Sequence, residues 1–369
     1  MLDSREQGKG VDLPRLTAYA ELDRRGRPGT ARQRWEPLMA HVRLLPAMAG
    51  VGAAWLAAQT FTRLSDPDLS PHPDPTTDFE GARARIELIQ AEEARLDLLP
   101  EGHSIALLAE RRTPKVVVAF HGYTSVPDQF RLIGEAYRAQ GYNVWIPRLP
   151  HHGSADRMTK DFSRITPSEL RDFADRSIDI AAGLGEEITV VGLSGGGALA
   201  LWAGFTRAEV ANTGVISPLL HPLGFADWQD RPLVRTLRLL PIDIYNWWDE
   251  TQREPKAEGY GYPRFSLKGI AALLSLSHWI ANRGLPPVSG SVLLVRNDGD
   301  SRLDGAYNER FVRSLVPADR LHIHTIPGAA GLGHDLVGHS PTSENYARLP
   351  EAYRQLSLAL GIPIPRPPG

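Results

Sequence analysis

The sequence predicts an α/β protein, a mostly parallel sheet covered on both faces by helices. Three observations carry this. Short, apolar, β-branched-rich runs recur along the chain, at 116–120, 142–146, 188–191, 213–217, 291–295 and 321–326. Helical patterns separate most of them, as crossovers between parallel strands require. Reactive side chains also fall where strands end, at His121, Ser194 and Ser217. In sheets of this kind, ligands gather at the carboxyl ends of the strands.

The chain has 369 residues, of which 42% are hydrophobic. That suffices for one large core with insertions, or for two domains. A formal net charge of −2 gives no footprint for a nucleic-acid partner. The chain has no cysteine, which excludes thiol chemistry, disulfides and cysteine-held metals.

Residues 1–43 are polar and arginine-rich, with Arg24, Arg25, Arg27, Arg32, Arg34 and Arg43. Residues 44–62 carry no charge at all. A positive flank before an apolar run is the pattern of a signal-anchor segment. A start at Met39 would shorten the basic flank to Arg43. The run is rich in alanine and glycine and so marginal as a membrane span. The alternative is a helix that packs on the main domain. The first reading implies membrane association in the cell envelope, the second a cytoplasmic protein. Residues 63–78 are rich in proline and aspartate and read as an extended linker.

The first part of the core is expected over 79–217. Residues 86–98 and 104–109 read as an antiparallel strand pair turning near Pro100-Glu101-Gly102. The run 116–120 is apolar throughout, as a strand buried on both faces should be. A helix is predicted over 128–140, stopped by Gly141. The strand 142–146 leads into Pro147-Arg148-Leu149-Pro150-His151-His152-Gly153. Thr166-Pro167-Ser168-Glu169 signals the start of a helix running to Leu184. Residues 218–290 break the rhythm and are rich in aromatic residues. They read as a helical cap, with helices near 231–240 and 267–281. Trp228, Trp247 and Trp248 are its candidates for lining a pocket. The core resumes over 291–369, with helices predicted at 305–315 and 343–360.

The most informative stretch is Gly192-Leu193-Ser194-Gly195-Gly196-Gly197, between the strand 188–191 and a helix-forming run. Strand, Gly-x-Ser-x-Gly, helix is the setting of a nucleophile elbow. The sharp turn forces the serine into a strained positive φ and needs small neighbours. Ser194 is therefore the candidate nucleophile.

A serine hydroxyl needs a base within hydrogen-bond reach, and the base needs an orienting acid. Asp300, just past the strand 291–295, is the candidate acid. Asp298 and Asp304 compete with it, either as caps of the following helix. His334, beyond the strand 321–326 and a glycine-rich loop, is the candidate base. His322 and His324 share one face of a strand and read as structural or solvent-facing, and His339 is a weaker alternative. The backbone N–H groups of Gly195 and Tyr123 are the candidate oxyanion donors. His121 is expected to fix the Tyr123 loop by hydrogen bonding. His151, His152, His322 and His324 do not form a recognised metal-ligand spacing.

These motifs resemble the α/β-hydrolase superfamily, in the branch of monoacylglycerol lipases, carboxylesterases and serine aminopeptidase-like hydrolases. The matching residues are His121-Gly122-Tyr123-Thr124, His152-Gly153, Gly192-Leu193-Ser194-Gly195-Gly196, Asp300 and Gly333-His334. The resemblance covers about 86–360. Two departures stand out: His151-His152-Gly153 where relatives often have Gly-His-Gly, and Asn297-Asp298-Gly299-Asp300 where a glycine-led turn is usual. The resemblance implies an α/β-hydrolase fold with its cap inserted before the acid-bearing strand. It implies hydrolysis of a small-molecule acyl ester through an acyl-enzyme, with no metal or organic cofactor. Amide, peptide or thioester cleavage on the same residues, or an inactive hydrolase-fold binding protein, are the alternatives.

Overall fold

The structure is a computed structural model that describes residues 67–221, 224–249, 253–254, 259–284, 288 and 290–365. The arginine-rich segment, the uncharged run 44–62 and Met39 lie outside the described residues. Among those residues, no helix is long and apolar enough to cross a membrane.

A seven-stranded sheet forms the centre. Its strands are β1 (Ile105–Leu107), β2 (Thr113–Phe120), β3 (Asn143–Ile146), β4 (Gly185–Leu193), β5 (Val210–Ile216), β8 (Ser291–Asn297) and β9 (Leu321–Ile326). The spatial order is β1-β3-β2-β4-β5-β8-β9. Only β1 runs antiparallel to its neighbour, and every other pairing in this sheet is parallel.

The alternation of side chains along β2 shows why the sheet must be covered twice. Val116, Val118 and Phe120 enter one core cluster, and Val117 and Ala119 enter the other. The first face carries α1 (Phe79–Glu93), α3 (Pro167–Leu184) and α4 (Gly195–Thr206). The second carries α2 (Arg131–Ala139) and α8 (Leu349–Leu360). Helix α4 is buried from Gly195 to Phe205, in keeping with its almost wholly apolar sequence. A capping box at Thr166 and Glu169 starts α3, as its sequence predicts.

The segment expected as a cap contains α5 (Asp227–Leu239) and α6 (Leu267–Asn282), close to the two expected helices. Between them lies an antiparallel pair that sequence reading did not anticipate, β6 (Tyr245–Trp247) with β7 (Arg264–Ser266). Helix α7 (Gly305–Leu315) and strand β9 match their predicted bounds.

Two expectations are corrected. Residues 86–98 form no strand, since 79–93 is helix α1. Its stripe is Ala82, Ile86, Ile89 and Glu93, spaced for one helical face. Asp78 caps it by accepting from the Gly81 N–H at 2.7 Å. Only Ile105–Leu107 of the second run pairs, and its partner is β3. The stretch expected as a linker is extended, but over 67–78 it is a packed strap. Leu69 is fully buried, and its carbonyl accepts from Trp202 Nε1 at 3.1 Å. Thr76 Oγ1 donates to the Asp179 carbonyl at 2.7 Å.

Candidate active site

Ser194 stands at the corner between β4 and α4, with φ 56° and ψ −115°. Non-glycine residues seldom adopt such a conformation, and it costs on the order of 1–3 kcal/mol. Neighbouring strands hold it there. The Ser194 N–H donates to Ile216 O at 3.0 Å, and Leu219 N–H donates to Ser194 O at 2.9 Å. The flanking glycines are sterically required. A Cβ on Gly192 would run into the Gly196 carbonyl, and one on Gly196 into the carbonyls of Phe120 and His121. Gly195 opens α4, so its N–H lacks an acceptor within the helix and lies at the positive helix end.

The structure brings Asp300 and His334 together, Oδ2 to Nδ1, at 2.7 Å. Asp300 Oδ1 also accepts from the N–H groups of Arg302 at 2.8 Å and Leu303 at 3.2 Å. Burial alone would raise the Asp300 carboxyl. The charge and hydrogen bond of His334, with the two N–H donors, outweigh it and hold the group below its usual range. Burial would likewise lower the His334 imidazole, but the charge and bond of Asp300 prevail and hold it above its ordinary value. With Nδ1–H donating to Asp300, Nε2 remains as the acceptor face of the neutral ring. Among the described residues, no hydrogen bond joins Ser194 Oγ to His334. Bonds of this kind often tighten only when substrate is bound.

The competing residues are occupied elsewhere. Asp298 pairs with Arg296 at 2.8 Å. Asp304 caps α7 by accepting from Tyr307 N–H at 2.9 Å. His324 meets Gln355 at 3.0 Å, His322 is exposed, and His339 meets Asp128 at 3.1 Å.

The loop after β2 carries the second candidate oxyanion donor. Among the described residues, no group accepts the Tyr123 N–H. His121 fixes this loop as expected. Its Nε2 accepts from Leu149 N–H at 3.1 Å, so its Nδ1–H donates to Gly122 O at 3.0 Å. Both bonds need the neutral ring, and burial lowers its pKa to about 3. Sequence reasoning missed Gln129. Its Oε1 accepts from Gly122 N–H at 2.8 Å, and its Nε2 donates to Asp335 Oδ1 at 3.0 Å. It therefore ties the Tyr123 loop to the His334 loop. It also missed Asn345, whose Oδ1 accepts from Gly333 N–H at 2.7 Å and whose Nδ2 donates to Asp335 O at 2.8 Å. Nothing in the sequence near either residue marks it as special.

The cap is bonded directly to the Tyr123 loop. The Tyr123 hydroxyl donates to Ser266 O at 3.1 Å and accepts from Ser266 N–H at 3.3 Å. Trp248 Nε1 donates to Thr124 Oγ1 at 2.8 Å, and Tyr262 N–H donates to Thr124 O at 3.2 Å. Trp248 also stacks on Phe265, with 4.2 Å between ring centroids, and lies under the Arg302 guanidinium at 4.8 Å. Of the three tryptophans singled out, Trp248 thus adjoins the site. Trp247 sits on β6 below Arg253. Trp228 faces solvent and is 77% exposed.

The sequence pattern of the Alpha/beta hydrolase family matches residues 116–349, more than half of the chain. This chain belongs to the alpha/beta hydrolase family. A thermostable monoacylglycerol lipase of Bacillus sp. (strain H-257) is 36% identical to the hydrolase over 95 residues, 24% of this chain and 34% of the lipase. The chain thus spans about a third of the length of the curated relative it matches. A solved structure from work on LipS and LipT, two metagenome-derived lipolytic enzymes, has a TM-score of 0.52 at 18% identity. It covers 72% of the hydrolase and 99% of its own chain, a likeness of fold. The family match and the lipase segment support the lipase- and esterase-like branch that the motifs resemble.

Proposed function

We propose that the hydrolase cleaves carboxylic esters through an acyl-enzyme formed on Ser194. His334 Nε2 takes the Ser194 Oγ proton as the oxygen attacks the ester carbonyl carbon. The carbonyl electrons move onto oxygen, and the N–H groups of Tyr123 and Gly195 bind the resulting oxyanion. When the tetrahedral species collapses, His334 gives its proton to the departing alcohol. A water then repeats the sequence and releases the carboxylic acid and free Ser194. Asp300 keeps His334 in the tautomer that presents Nε2 and stabilises the imidazolium that forms.

The observation that carries this reading is the 2.7 Å Asp300–His334 pair, on loops at the same sheet edge as a serine held at positive φ. A series of p-nitrophenyl acyl esters against aminoacyl-p-nitroanilides tests it. The expected result is turnover of the esters in preference to the anilides, lost by about 10⁴-fold or more in Ser194→Ala. Preferential anilide cleavage would overturn the ester assignment. Undiminished turnover in Ser194→Ala would overturn the nucleophile.

A further inference from the structure

The two loops that carry Asp300 and His334 come from different strands, β8 and β9, and must meet with a tolerance of a fraction of an ångström. One buried side chain spans the gap. Asn297 closes β8 and is 3% exposed. Its Oδ1 accepts from the N–H of Gly299, one residue before Asp300, at 3.0 Å. Its Nδ2 donates to Leu332 O at 3.0 Å and to Gly333 O at 2.9 Å, and Gly333 is one residue before His334. Its main-chain carbonyl meanwhile accepts from Asp300 N–H at 3.2 Å. The approach is tight enough that a Cβ on Gly299 would overlap the Leu332 carbonyl at 2.5 Å.

We infer that Asn297 is a positioning residue that sews the acid loop to the base loop and thereby sets the Asp300–His334 contact. The inference rests on the triad reading above. It also gives a structural role to Asn297 in the stretch Asn297-Asp298-Gly299-Asp300. The amide fixes the turn with three side-chain bonds. Neither an acid nor an apolar residue reproduces the pattern, because two carbonyls need donors and one N–H needs an acceptor. Asn345 holds the far side of the same loop through Gly333 and Asp335, so His334 is gripped from both flanks.

The consequence is chemical as well as structural. Burial and the Arg302 charge pull the His334 imidazole down, but the charge and hydrogen bond of Asp300, with a smaller contribution from Glu344, hold it above its ordinary value. Lengthening that contact weakens the charge attraction and the hydrogen bond together and leaves burial, so the imidazole pKa falls. The experiment compares Asn297→Ala and Asn297→Ser with Asp300→Asn and the parent. It measures kcat, KM and the pH at which fluorophosphonate labelling of Ser194 is half-maximal. That midpoint does not depend on how much of a sample is folded, so it remains readable in a destabilised variant.

The expected result is a kcat loss on the order of 100-fold with KM nearly unchanged, and a midpoint moved to lower pH in the direction of Asp300→Asn. Parent-like kcat, or an unmoved midpoint in both Asn297 variants while Asp300→Asn shifts it, would overturn the inference and leave the triad standing. A parent-like midpoint in Asp300→Asn itself would instead overturn the triad reading.

Discussion

At the scale of single residues, the site depends on how each charge is placed. In the proposed reaction His334 acts as a base only while neutral. Its pKa is held above the usual 6.5, so kcat/KM should fall as pH drops through a value above 6.5. Asp300→Asn removes the main charge that raises it and leaves burial and Arg302, which act in the opposite sense, against the smaller effect of Glu344. The acid limb of the kcat/KM profile should therefore move to lower pH, while kcat falls by about 10⁴-fold, as when the orienting acid of such a triad is neutralised. A pH–rate profile of the variant checks both. The same pair contributes to stability within a window. The His334 side is fully present below 6.5 and fades as pH rises through the folded pKa. The Asp300 side is present above the ordinary aspartate range and is lost as pH falls through its depressed folded value.

At the scale of elements, a buried ion cluster outside the site joins α3 to the end of α4. Arg207 is 2% exposed. It bonds Asp175 at 2.9 Å, Asp179 at 2.6 Å and Glu209 at 2.9 Å. Arg207→Ala would strand two buried carboxylates and should cost about 3–5 kcal/mol, read as a lowered urea midpoint. Asp175 also accepts from the strap at His72 N–H, at 2.7 Å, so the loss should loosen residues 67–78 as well. The sequence shows where its elements lie better than how they pair. Helix α7 and strand β9 are legible because their apolar patterns are clean and their ends are marked. Helix α1 is not, because Ile86 and Ile89 are β-branched and suggest a strand. Their spacing with Ala82 and Glu93 decides the matter, and that becomes visible only over the full 15 residues. The packed strap is equally hidden, since prolines predict extension but say nothing of what Leu69 lies against.

At the scale of the whole molecule, the sheet order places β4 between β2 and β5, and β8 beside β9. The loops after β2, β4, β8 and β9 consequently open on one edge, and the cap is bonded to the first of them through Tyr123 and Thr124. The strained turn at Ser194 and the candidates Asp300 and His334, which the structure brings together, were legible because the chemistry proposed for them restricts residue type and local setting. Gln129, Asn297 and Asn345 were not, because a side-chain amide that bonds backbone leaves no periodic trace. The departure at Asn297 was visible in the sequence, and its meaning came only with the distances. The central claim is that Ser194 is the nucleophile, activated by His334. The most direct measurement is the reaction with a fluorophosphonate probe followed by peptide mapping. The account predicts one adduct, on the peptide containing Ser194, absent in Ser194→Ala and strongly slowed in His334→Ala. An adduct on another serine, or ester turnover by a protein that the probe does not label, would contradict it.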